Sequence, residues 1–333
     1  MNKLASEFAG LKLKSPIIAG SCGLTSSVEN IKETEKNGAG AVVLKSIFEE
    51  EITGKYEKLL REIGTISSFE ENLDYYDFKI KQDNINEYIS LIKDAKNAVS
   101  IPVIASINCV SSHEWTYFAG KIEEAGADAL ELNIFISPAD TNLSGSEKEN
   151  LYFNIIDKIT EKINIPVIVK MSYYFTDLKN MIQKLSETKI KGLVLFNRFF
   201  SPDIDIYNHK VIPVNIFSKP EDLPVSMRWI AAASGTAKCD LAASTGVHDG
   251  NAAIKQILAG ADAVQIASVM YSKGFEIIKK INAEIEKYMD EKKYESINHF
   301  RGLMNYKNIK NPGVYDRMQF MKHFSFDNSL KHI

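Results

Sequence analysis

Cysteine is scarce in this sequence: the 333 residues hold three, Cys22, Cys109 and Cys239, far apart and with no C-x-x-C pair. That spacing excludes a disulfide frame and a thiolate zinc site, and it reads as reduced thiols in a cytoplasmic protein. The six histidines show no H-E-x-x-H or comparable ligand spacing, so no metal is expected. No stretch approaches the roughly 18 apolar residues of a membrane span. Met1 to Gly10 has no basic segment followed by an apolar run, so no secretory signal is read there. The net charge is only −3, with no basic stripe and no block of like charge, which argues against a nucleic-acid partner.

What is present is ordinary globular composition, 45% hydrophobic and 25% charged, and a repeated turn. Gly38-Ala39-Gly40-Ala41 leads into Val42-Val43-Leu44-Lys45. Gly126-Ala127-Asp128-Ala129 leads into Leu130-Glu131-Leu132-Asn133, and Gly260-Ala261-Asp262-Ala263 leads into Val264-Gln265-Ile266-Ala267. Each copy follows a segment with helical apolar spacing, such as Ile254, Ile257 and Leu258 before the third. A glycine that ends a helix in the left-handed conformation, followed by a short apolar run, describes an αβ turn into a sheet buried on both faces. A second form recurs as Ile101-Pro102-Val103-Ile104-Ala105 and Ile165-Pro166-Val167-Ile168-Val169, with proline at the start of a strand, where a missing N–H costs no ladder bond.

With Pro16 to Gly20, Gly192 to Phe196 and Leu241 to Ser244, these runs make eight candidate strands separated by helical stretches. Eight alternating units favour an α/β chain folded as a (β/α)8 TIM barrel, an architecture of about 250 residues. An open doubly wound sheet is the alternative that spacing alone leaves standing. Residues 1–333 are read as one domain. Two gaps, Ser46 to Asp83 and Arg198 to Leu223, are insertions at the C-terminal mouth, where long loops shape ligand sites. The tail, 307–333, lies beyond the last barrel helix and is expected to pack across one end.

Reacting groups in such barrels sit where strands end at the mouth. Those positions here are Ser21, Lys45, Asn108, Asn133, Lys170 and Asn197. Lysine is rarely buried without a partner. One lysine there could simply reach solvent; two together with three amides favour a ligand-binding mouth. After the seventh and eighth strands come Ser244-Thr245-Gly246-Val247-His248-Asp249-Gly250 and Ala267-Ser268, small residues that let backbone N–H groups approach a phosphate. Small residues also occur in ordinary βα turns.

The chain resembles the dihydroorotate dehydrogenases, and more closely the dihydroorotate dehydrogenase-like proteins around them. The resemblance is carried by Ser15-Pro16-Ile17-Ile18-Ala19-Gly20-Ser21, Val43-Leu44-Lys45-Ser46, Gly126 through Ile134, Pro166 through Lys170, and the stretch from Ser244 through Ser268. Tyr294 to Ile297 with Phe300-Arg301-Gly302 is similar to the family's closing helix. The matches run in order over roughly residues 5–303. The resemblance implies an FMN-dependent oxidoreductase of pyrimidine biosynthesis that passes a hydride between a small dihydropyrimidine-like substrate and flavin. It implies Gly20 and Ser21 near the flavin ring, Lys45 and Lys170 on its polar edge, and Asn133 and Asn197 contacting flavin and substrate. A cation beside the flavin N1–O2 edge would stabilise the anionic reduced form, which is the role implied for Lys170. The phosphate would lie on the backbone of Gly246, Val247, Ala267 and Ser268. The short N-terminus is similar to the soluble class; a homodimer and an unidentified electron acceptor complete the implied partners.

Three departures stand out. Ala243 and Thr245 replace glycines usual in the phosphate loop. The family's proton-transfer residue, the cysteine or serine of N-x-S-C-P-N, aligns with Ile136 without a gap and with Ser137 after one insertion. Ser137 and Lys45 are the catalytic candidates, with Ser137 as a plain turn hydroxyl the competing reading. The family's N-S-M-G-L-P-N loop, which grips the orotate ring and carboxylate, is replaced by Ser67-Ser68-Phe69-Glu70-Glu71-Asn72-Leu73-Asp74-Tyr75-Tyr76-Asp77. Tyr75, Tyr76 or Phe135 would favour a more aromatic or less anionic substrate. Two other readings remain open: a lyase or aldolase using Lys45 or Lys170 as a Schiff base, and a flavin-binding relative without catalysis.

Overall fold

A computed structural model of the chain describes residues 2–48, 70–108, 114–198 and 201–316, with 70–82, 114–115, 201 and 316 described as backbone alone. A hairpin of β1 (Ser6–Phe8) and β2 (Leu11–Leu13) opens the chain, with Ser6 opposite Leu13. β3 (Ile17–Ala19), β4 (Ala41–Val43) and the two-residue β5 (Ile47–Phe48) come next. They are followed by β6 (Val103–Asn108), β7 (Ala129–Asn133), β8 (Val167–Met171) and β9 (Gly192–Leu195). A second antiparallel hairpin, β10 (Ser201–Asp205) and β11 (Lys210–Val214), precedes β12 (Asp240–Ser244) and β13 (Ala263–Ile266). Parallel pairing runs β3-β4-β6-β7-β8-β9-β12-β13, and β13 pairs back onto β3. The sheet is therefore a closed (β/α)8 barrel, and the open-sheet alternative falls.

The repeated sequence turns stitch the bottom of this cylinder. Gly38, Gly126 and Gly260 all have positive φ, at 90°, 90° and 117°, as helix-ending glycines require. In the second and third copies an aspartate then bonds the start of the preceding strand twice. Asp128 N–H donates to Val103 O at 2.9 Å while its Oδ2 accepts Val103 N–H at 2.7 Å; Asp262 does the same with Leu241, both at 2.8 Å. The first copy has Gly40 instead, because a Cβ there would stand 1.9 Å from Ser15 O. The prolines have a shared use as well. Pro16, Pro102 and Pro166 each lie one residue before a strand, and their carbonyls accept N–H groups from Val264, Val42 and Leu130 at 2.8, 3.0 and 2.9 Å.

Strand alternation divides the barrel residues. One set packs outward against the helices in the large core. The inward set, including Ile18, Val43, Ile104, Ala129, Ile168, Val194 and Ala242, forms a separate apolar cluster with Phe8, Ala9 and Leu13 of the opening hairpin. Phe8 is fully buried, and a Cβ at Gly192 would come within 2.8 Å of its ring. The hairpin is thus a plug in the bottom of the barrel.

All eight expected strands form. The opening hairpin and the β10–β11 hairpin inside the Arg198–Leu223 insertion were not anticipated; three- and five-residue strands carry too little periodicity to be read. The segment Ser46 to Asp83 was read as an insertion throughout, but helix Glu70–Ala98 begins inside it. Residues 49–69 lie outside the described residues, as do 317–333 of the expected tail. The described part of that tail docks through Tyr315, whose ring stacks on Tyr306 at 5.3 Å and whose hydroxyl donates to Met304 O at 2.7 Å.

Truncating the plug should loosen the whole fold without touching the mouth. Phe8→Ala is expected to lower stability by about 3–5 kcal/mol, read by urea denaturation; a loss under 1 kcal/mol would show that the ring does not fill the barrel floor.

Candidate active site at the barrel mouth

At the opposite end, the strand termini enclose a cavity of about 330 Å³, within the range of small-molecule sites. Ser21, Lys45, Asn133, Lys170, Asn197, Gly246, Val247, Ala267 and Ser268 all line it. Gly20 lies just beneath the rim, where its N–H donates to Ile266 O at 2.8 Å and ties β3 to β13. Residues far apart in sequence thus meet because their strands are neighbours in the barrel. The amides act as a pair: Asn197 Nδ2 donates to Asn133 Oδ1 at 2.5 Å, and Asn197 N–H holds the end of β8 through Met171 O at 2.9 Å. On the β3–β6 side, Ser21 Oγ accepts Ser46 N–H at 2.9 Å, and Ser46 Oγ lies 2.7 Å from Ser106 Oγ inside the barrel. Asn108 ends β6 and is absent from the cavity lining.

Lys170 is nearly buried, and its position is set from below. Its Nζ donates to Gln265 Oε1 at 3.0 Å; Gln265 Nε2 donates in turn to Glu131 Oε2 at 2.6 Å. Glu131 is fully buried, and its Oε1 lies 3.9 Å from Lys170 Nζ with no hydrogen-bond donor of its own. Above the apolar cluster, then, the barrel interior becomes polar. Sequence reading missed Glu131 and Gln265 because it looked only at strand ends. The signal was there: each is an inward residue, Glu131 two positions before Asn133 and Gln265 inside the third turn repeat.

At the β12–β13 rim, Thr245 and Gly246 are consecutive left-handed residues, with φ of 77° and 80°. Positive φ at two consecutive residues makes a tight turn at the cavity edge. A side chain at Gly246 is barred, since its Cβ would approach Leu223 N to 2.3 Å. Thr245 tolerates the strained conformation with its hydroxyl donating to Phe196 O at 3.3 Å. The next helix, Gly250–Ala259, is already capped by Asp249, whose carboxylate accepts Ala252 N–H at 2.8 Å. Ser268 Oγ accepts Ser218 N–H at 3.0 Å, and Ser218 Oγ lies 3.2 Å from His248 Nε2, so the stretch after β11 is strapped across this rim. Burial pushes His248 down, which keeps its ring neutral at physiological pH. Burial pushes the Cys22 thiol on the cavity wall up, which disfavours a nucleophilic thiolate.

Beside the cavity a second chamber of about 320 Å³ is lined by Tyr173, Tyr174 and Val225 and shares Asn197 and Arg198 with the first. Arg198 is engaged by the carbonyls of Asn215 and Ile216, and its Nε lies 4.0 Å from Asp222. Ser137 is not brought to either cavity. It is exposed, and its Oγ accepts Ala139 N–H at 3.3 Å, the geometry of a turn hydroxyl. Ile136 is partly buried against the core, and Phe135 is half exposed. Ser67 to Phe69, and the side chains of Tyr75 and Tyr76, lie outside the described residues.

The family model for dihydroorotate dehydrogenase matches residues 3–289. The catalytic subunit of dihydroorotate dehydrogenase B (NAD(+)) of Thermoplasma volcanium is 29% identical over 309 residues, covering 91% of this chain and 99% of that protein. The subunit of the same name from Pyrococcus furiosus is 28% identical over 304 residues, with 89% and 97% covered. That of Methanocaldococcus jannaschii is 26% identical over 297 residues, with 86% and 94% covered.

The buried pair sets a clear expectation for stability. Lys170→Met leaves the Glu131 carboxylate uncompensated and should cost about 3–5 kcal/mol. Adding Glu131→Gln should restore most of that loss in urea unfolding; simple additivity of the two changes would mean the groups do not interact.

Proposed function

Because the chain belongs to the dihydroorotate dehydrogenase family, we propose that residues 1–333 form a single FMN-binding domain whose barrel mouth oxidises or reduces a small dihydropyrimidine-like substrate. It is an oxidoreductase, and the lyase reading gives way to that membership. One observation carries the cofactor reading: two lysines, two asparagines and the Thr245–Gly246 turn, drawn from five different strand ends, line one cavity.

The residues fit FMN on chemical grounds. Lys170 is a donor-only group held at the cavity wall, and one of its protons is taken by Gln265. Lys45 lines the same wall. Thr245, Gly246, Val247, Ala267 and Ser268 line the same cavity, and their small side chains let main-chain N–H groups approach a phosphate. When bound, FMN supplies the redox step by exchanging a hydride with the substrate. Lys45 and Lys170 then complement negative charge on the ring system, and the joined Asn133–Asn197 amides orient the substrate against it. The tyrosine-lined chamber extends this space, and Arg198, already held by two carbonyls and near Asp222, is not spare for a substrate carboxylate. Both features support a more aromatic or less anionic substrate than orotate.

Proton transfer is assigned to Ser137. Its loop follows Asn133, so reorientation over the substrate would bring the hydroxyl in from its turn bond to Ala139. A separate partner returns the flavin to its starting state. Among the described residues no helix is long and apolar enough to cross a membrane, and a cytoplasmic setting fits the scattered thiols. A second copy of the chain is the proposed oligomeric partner, supported by the exposed apolar hairpin carrying Ile204, Ile206 and Val211.

Purified protein should be yellow, with flavin absorbance that bleaches on anaerobic addition of the true substrate; dihydroorotate is the first compound to titrate. Colourless protein that does not take up added FMN would end this reading. Ser137→Ala should lower turnover by about 10²-fold or more, and an unaltered rate would remove Ser137 from the reaction. Replacing Ile206 and Val211 with aspartate should yield monomers in analytical ultracentrifugation, whereas an unchanged dimer would place the contact elsewhere.

A further inference from the structure

We propose that Glu131 is a positioning residue for the oxidoreductase reaction: acting through Gln265 it fixes the Lys170 ammonium at the cavity wall, and its buried charge sets the reduction potential of the FMN bound there. This rests on the FMN reading above.

Hydrogen-bond polarity makes the three-residue chain unique. A carboxylate can only accept and an ammonium can only donate. Gln265, lying between them, must therefore turn its NH2 toward Glu131 and its carbonyl toward Lys170, as the 2.6 and 3.0 Å contacts describe. With a neutral amide at position 131 the Gln265 amide could reverse and present NH2 to the ammonium, and the position of Lys170 would no longer be specified. Glu131 thus decides the direction of a chain whose far end faces the cavity.

Folding accounts for the charge only as a counter-ion to Lys170. Glu131 is wholly buried above an apolar cluster, and its Oε1 receives no hydrogen bond. Glutamine has nearly the same volume and would avoid burying a charge. What the carboxylate adds is a negative charge 3.9 Å behind the lysine nitrogen. In the water-poor barrel interior that charge partly cancels the field Lys170 projects into the cavity. Its sign follows directly: a negative charge below the flavin disfavours the anionic reduced form, so Glu131 holds the potential below the value Lys170 alone would give. Tyr88, buried on the far side of Ser106, feels the same carboxylate, which adds to the effect of burial in pushing its hydroxyl up.

The test is the midpoint potential of FMN in the intact holoprotein, measured by spectroelectrochemical titration in wild type, Glu131→Gln and Lys170→Met. Glu131→Gln should shift the equilibrium at least tenfold toward reduced flavin, a rise of about 30 mV for a two-electron couple. Lys170→Met should move it in the opposite direction. Gln265→Leu, which keeps both charges and breaks only the bridge, should raise the FMN dissociation constant several-fold and serves if Glu131→Gln does not fold. A Glu131→Gln potential within twofold of wild type, or lower, overturns the proposal while leaving the flavoprotein assignment intact; so does a Gln265→Leu protein that binds FMN as wild type does. Wild-type protein that binds no FMN defeats the underlying functional reading instead.

Discussion

The mouth depends on the hydrogen-bonded seam where the last barrel strand meets the first. Val264 N–H reaches Pro16 O and Gly20 N–H reaches Ile266 O, both at 2.8 Å. These bonds place Ser21 beside Ala267 and Ser268, although nearly the whole chain separates them in sequence. Without the seam the strands would form an open sheet, and Ser21 and Lys45 would lie at the opposite edge from Ala267 and Ser268. Closure turns a linear series of strand ends into the wall of one cavity.

Closure also forces a choice at every inward position. The lower interior is apolar and is sealed by Phe8 and its hairpin, so it contributes burial and little else. The upper interior holds Ser106, Glu131, Lys170 and Gln265, groups that burial would penalise unless each finds a partner. Glu131, Gln265 and Lys170 find one another, apart from one carboxylate oxygen, and Ser106 pairs with Ser46. The barrel therefore stacks an apolar layer beneath a polar one, and the boundary falls within single strands: Ala129 below and Glu131 above on β7, Ile168 below and Lys170 above on β8.

The cavity and the chamber beside it differ in character. The lysines, the amide pair and the two small-residue rims line the first. Thr245 holds its positive φ although it is β-branched, with its hydroxyl anchored on the neighbouring strand end. Beside Asn197, in the second, stand an arginine occupied by carbonyls and a pair of tyrosines, while Ser137 faces solvent.

From the sequence alone, the eight strands, their order of helices and turns, and about half of the cavity-lining residues could be read. Turn repeats, strand-opening prolines and strand-end lysines are local signals, set by backbone sterics and by the period of two in a strand. The hairpin plug, the strap over the β12–β13 rim and the Glu131–Gln265–Lys170 chain were decided only by tertiary structure. Each depends on which residues face one another across the barrel, and that facing is fixed by strand pairing and closure, which no stretch of sequence contains by itself. Ser137 shows the same limit from the other side: its spacing from Asn133 was legible, but the direction of its hydroxyl is set by the fold of its loop.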